Sequence, residues 1–94
     1  MTRSHVERRL QDVTDRLRRA REELAIVDEQ HAALSEAADE ARIRAVVAET
    51  RLAEKEWHEA QRHADAMGAS RLEVANRIED LQRSQDTLLD RIVI

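Results

Sequence analysis

Two apolar seams run along this chain and mirror each other about residue 49. The first reads Val6, Leu10, Val13, Leu17, Ala20, Leu24, Val27, His31, Leu34, Ala38, Ala41, Ala45, in alternating steps of four and three. The second reads Ala53, Trp57, Ala60, Ala64, Met67, Arg71, Val74, Ile78, Leu81, Gln85, Leu88, Ile92. Such steps average about 3.5 residues, the period of helices packed as a coiled coil. Set antiparallel, each residue of the first seam meets a partner whose number brings the pair to 98. Val6 then faces Ile92, Leu10 faces Leu88, Leu17 faces Leu81, Ala20 faces Ile78 and Ala41 faces Trp57. The frame breaks between Ala45 and Ala53, where a turn has to lie. The seams therefore predict an all-α, antiparallel two-helix coiled-coil hairpin with its turn near residues 46–52, one domain spanning 1–94.

Composition fits that expectation. The 94 residues include no Pro, no Cys, one Gly and a single aromatic, Trp57, and 38% of them are charged. A chain of this kind with a 3.5-residue repeat reads as coiled coil. Two helices enclose no thick interior and no pocket walled on several sides, so the composition points away from catalysis. Either such a hairpin is marginal as a monomer or it associates, which leaves dimerisation into a four-helix bundle open. The net charge of −4 supplies no electrostatic reason for binding nucleic acid or an anionic membrane. No apolar run approaches the roughly 18–20 residues that cross a bilayer, and MTRSHVERRLQDV has no apolar signal core. A cytoplasmic location is the expectation. Lys55 is the lone lysine among sixteen basic residues, an Arg and Ala bias suggestive of a GC-rich bacterial genome.

Charge placement is a second test of the register. Arg16, Arg18, Arg19 and Arg21 form a basic cluster, and seven acids without a Lys or Arg follow from Glu22 to Glu40. In the mirrored register the cluster lies opposite Glu79 and Asp80. The acidic stretch lies opposite a segment with Arg62, Arg71 and Arg77. Opposite charges flanking a seam select orientation in coiled coils.

Helix punctuation gives bounds. Ser4 with Glu7 matches a capping box, so a first helix is expected from about 5 to 48. Thr50 is the candidate N-cap of a second helix, about 51–93, with Glu54 in its first turn. A competing break lies at Met67-Gly68-Ala69-Ser70-Arg71-Leu72-Glu73, where Gly68 can end a helix and Ser70 with Glu73 can start one. The mirrored seams favour the turn near Thr50. His31, Arg71 and Gln85 are polar seam positions of the type that fixes register.

Apolar residues off the seams are the main functional clue. Ile43, Val46, Val47 and Leu52 crowd the turn, Ile26 and Leu72 pair on one flank by the same rule of 98, and Leu89, Val93 and Ile94 extend the apolar surface near the ends. Exposed clusters of this kind mark surfaces for a protein partner or for a second copy. The Arg16–Arg21 run is a candidate contact for an acidic protein or a phosphorylated ligand. No aromatic interleaves it for base stacking.

Chemical motifs are sparse. Asp28 and His31 alone have Glu-x-x-His-like spacing, and His58 and His63 point to different faces, so no metal or cofactor is expected. No nucleophile–base constellation and no Gly-rich phosphate loop appears. Two resemblances arise. Trp57-His58-Glu59 lacks the Gly of the small secreted hairpins with a Trp-x-Gly turn and lies beyond the turn, which sets that family aside. Ser4, Gln11 and Asp15 resemble part of the Glu-x3-Ser-x2-Arg-x3-Gln-x3-Asp pattern of bacterial anti-sigma hairpins that bind a cyclic dinucleotide. Glu7 stands where that pattern has Arg, and no ligand is carried over. The expected function is a non-enzymatic protein–protein interaction module, a small bacterial adaptor or regulator. The alternatives are a self-assembling scaffold and an anti-sigma-like transcription regulator.

Overall fold

The computed structural model describes residues 2–93; Ile94, placed in the apolar surface by sequence, lies outside them. Two helices pack against each other as a hairpin, α1 over Arg3–Ala48 and α2 over Arg51–Val93, and no strand occurs among the described residues. The expected turn and the second helix are thus in place.

The first helix begins two residues earlier than the Ser4 capping box implies. Thr2 is the cap: its Oγ1 accepts from the His5 amide at 3.2 Å, and its carbonyl accepts from the Val6 amide at 3.1 Å. Ser4 is helical, and Glu7 accepts from Arg3 Nε at 3.0 Å instead of reaching back to Ser4. That i,i+4 pair supports the extra residues of the first turn.

Only Glu49 and Thr50 connect the helices. The Glu49 amide still donates to the Ala45 carbonyl at 3.0 Å, while its φ of 53° is left-handed and turns the chain. Gly commonly fills such a site because it has no Cβ to crowd the backbone, and Asn is tolerated because its short side chain hydrogen-bonds locally; here a Glu fills it. Thr50 Oγ1 then accepts from the Ala53 amide at 3.1 Å, capping α2 as expected.

Gly68 interrupts nothing. α2 is continuous through it, and Ser70, the rival cap, donates its hydroxyl to the Ala66 carbonyl at 3.3 Å inside the helix. A Cβ on Gly68 would stand 3.3 Å from His31 Nε2, so the missing side chain makes room for a seam histidine.

By contact the chain divides into two units. One holds the residues up to Leu24 and those from Glu73 onward; the other is Ala25–Leu72 around the turn. In the first, Leu17, Ala20, Val74 and Ile78 form a buried cluster with Leu24 and Leu81 against it. In the second, Ala38, Ala41 and Ala64 are buried, and Leu34, Trp57, Ala60 and Met67 are half-buried. Each residue of the first seam is buried or half-buried, and so is each of the second except Arg71. Arg71 was expected in the seam but swings out, and its Nε donates to Asp28 on the opposite helix. A guanidinium is cheaper to keep in water beside a carboxylate than to desolvate.

Among the described residues, three more polar side chains reach across between the helices. Arg77 donates to Glu23 at 2.8 Å, Gln85 Nε2 donates to Thr14 Oγ1 at 3.2 Å, and His31 lies against Gly68. With Arg71–Asp28, the numbers in each pair total 99 or 100, as positions beside a seam of 98 require. The basic cluster does not pair as its position suggested. Arg16 binds Asp12 at 3.1 Å and Arg18 binds Asp15 at 3.7 Å, both within α1, while Asp80 binds Arg83 within α2. One helical turn brings those partners closer than the neighbouring helix does.

Candidate functional site

The two seams fix heptad letters along both helices. With Leu10, Leu17 and Leu24 at a and Val13, Ala20 and Val27 at d, positions g and c share one side of the helix pair, and e and b share the other. In an antiparallel pair, g lies beside g and e beside e.

Around the turn this sorts four exposed side chains. Val47 and Leu52 both fall at c and flank the connection from its two helices, 80% and 66% exposed. Val46, at b, is 66% exposed on the other side. There it lines a cleft of about 320 Å³ with Ala45, Glu49, Thr50, Arg51, Glu54 and Trp57. Ile43, at f, projects from the back of α1 and is also exposed. Trp57 is half-buried at an a position, and its ring stacks on His58 at 4.8 Å between centroids and 23° between planes. His58 Nε2 in turn lies 3.7 Å from Glu54 Oε1. The turn therefore presents an apolar lip on one side and an aromatic-floored cleft with two carboxylates on the other. The lip was legible in sequence. The cleft was not, because it exists only where a left-handed Glu49 folds Thr50 and Glu54 back beside Val46.

Ile26 and Leu72 do not make the expected joint patch. Their numbers satisfy the register, but Ile26 is at c and Leu72 at b, which puts them on opposite sides. Each is more than half exposed. Leu89 and Val93 are exposed as well.

The Arg16–Arg21 run is likewise not one surface. Arg16, Arg18, Arg19 and Arg21 fall at g, b, c and e, distributed around α1, and Arg16 and Arg18 already hold intrahelical carboxylates.

Among the described residues no three His, Asp or Glu side chains gather in a group that could hold a metal ion. His5, His58 and His63 are exposed, and His31 lies in the seam. No described helix is long and apolar enough to cross a membrane. No protein family, curated protein or solved structure matches the chain.

Proposed function

We propose that the hairpin is a non-enzymatic protein–protein interaction module, a small bacterial adaptor or regulator that docks by its turn. One observation carries this reading. Both seams are satisfied within the hairpin, yet Ile43, Val46, Val47 and Leu52 remain 57–80% exposed within ten residues of chain. Apolar side chains gathered at one end of the hairpin, Val47 and Leu52 together on one side of it, with no packing duty to the hairpin itself, supply what an interface core requires. The cleft between Val46 and Trp57 suits one apolar side chain of a partner, and Glu49 and Glu54 at its rim suit basic neighbours. Residues 25–72 hold ten acids and six bases, which favours a partner surface of the opposite sign.

The test is capture of a stoichiometric partner from the native host by the tagged chain, followed by mass measurement on a sizing column. Val47→Glu is expected to weaken capture at least tenfold while helicity by circular dichroism stays unchanged. Equal capture by that variant rejects docking by the turn. A pure homo-oligomer that Ile26→Glu renders monomeric instead favours the second reading, a self-assembling scaffold. That alternative rests on the exposure of Ile26 at a c position.

A further inference from the structure

In the unit that holds the chain ends, the g positions of α1 are Arg9, Arg16 and Glu23, and those of α2 are Arg77, Ser84 and Arg91. The Glu23–Arg77 salt bridge at 2.8 Å defines how these rows meet. The same register sets Arg16 opposite Ser84 and Arg9 opposite Arg91. The last rung is a like-charge pair at the position where coiled coils ordinarily place opposite charges. Two adjoining clefts occupy this side. One, of about 390 Å³, is lined by Arg9 and Arg91 with Arg83, Ser84, Thr87, Leu88 and Asp80. The other, of about 560 Å³, shares Arg9 and Ser84 and adds Arg8, Arg16 and His5 from α1. The acids lining them are Asp80 and Asp12, and each is already engaged, by Arg83 and by Arg16. Among the described residues Arg8, Arg9 and Arg91 have no carboxylate partner. Five arginines against two acids is a local excess of three positive charges in a chain whose net charge is −4.

We propose that these joined clefts bind a small phosphate-bearing ligand, with one phosphate group bridging Arg9 and Arg91 and a second reached by Arg8. Guanidinium forks match phosphate oxygens bidentately, and the Ser84 hydroxyl on the wall common to both clefts supplies a further donor. An oxyanion between Arg9 and Arg91 converts a repulsive rung into two attractive contacts. No Phe, Tyr or Trp lines either cleft and His5 is the one ring there, so recognition rests on the phosphates, which meet Arg8 and Arg9 of α1 and Arg91 of α2. The clefts are open, so affinity is modest and salt-sensitive.

The experiment is thermal unfolding of the full chain with increasing orthophosphate, pyrophosphate or tripolyphosphate, each against sodium chloride of equal ionic strength. A ligand that binds only the folded state raises the midpoint saturably. Pyrophosphate and tripolyphosphate are expected to do so at lower concentration than orthophosphate, because they span both clefts. Equal potency of the three would mean that a single phosphate group is held and would overturn the two-cleft assignment. Arg91→Gln should raise the apparent Kd at least tenfold, whereas Arg62→Gln, the same charge removed from the back of α2, should leave it within twofold. Arg9→Glu should raise the ligand-free midpoint, by creating an attractive rung with Arg91, and abolish the phosphate response. The proposal fails if chloride reproduces the shift, if Arg62→Gln weakens binding as much as Arg91→Gln, or if Arg9→Glu lowers the ligand-free midpoint.

Discussion

Glu49 carries the reversal of the chain at a φ of 53°, where a Cβ is crowded by its own backbone. No glycine stands there to mark the turn. The conformation holds because the two seams, once paired, leave only two residues to connect them. Glu49→Gly removes that crowding and should stabilise the hairpin by about 1 kcal/mol, measured by urea unfolding. An unchanged or lower stability would show that the Glu side chain contributes more than its backbone costs. Gly68 is the converse case, a residue that looks like a helix end and is not one. Alanine there gains about 1 kcal/mol of helix propensity. Its Cβ would meet the far end of His31, a half-buried ring on a flexible side chain, 3.3 Å away. The ring can yield by a few tenths of an ångström, so Gly68→Ala should stabilise by about 0.5 kcal/mol after that adjustment. In a His31→Ala background the gain should rise towards the full propensity value.

Helix ends are decided by competition between nearby caps. Thr2 and Ser4 both offer a hydroxyl, and Ser4 has the better motif, a Glu three residues on. Thr2 prevails because starting earlier adds the Arg3–Glu7 contact and costs no tertiary packing, since Arg3, Ser4 and His5 are all exposed. Thr2→Ala should therefore lower stability by about 1 kcal/mol, and Ser4→Ala by a few tenths at most, in paired thermal melts. The reverse order would restore Ser4 as the cap. Along α2 the rival cap Ser70 loses for a different reason. Ending the helix at Gly68 would remove Val74 and Ile78 from their contacts with Leu17 and Ala20. Burying side chains of that size is worth about 1.5–3 kcal/mol each, more than any single cap.

Between the helices, ionic contacts select register more than they stabilise. Asp28 and Arg71 are 44% and 48% exposed, so a double-mutant cycle with Asp28→Asn and Arg71→Gln should give a coupling below about 1 kcal/mol, lost at about 1 M salt. A coupling of several kcal/mol would mean that this pair dominates the fit, against the apolar seams. The fold was legible in the sequence because its determinant is periodic. Residues such as Leu17 and Ile78 recur at the heptad spacing, and a seam that mirrors itself has one low-energy partner. The turn followed from the break in that frame, and so did the exposure of Val47 and Leu52, which belong to neither seam. What periodicity could not supply was anything set by three-dimensional neighbours. Arg71 leaves the seam because Asp28 stands beside it in water, and Ile26 and Leu72 part because b and c lie on opposite sides. The cleft beside Trp57 and the basic clefts at Arg9 and Arg91 arise only when the rows of two helices are laid against each other. The sequence determined which residues are buried, since burial follows hydrophobic period. Tertiary structure alone decided which exposed residues meet, because that depends on side and register together.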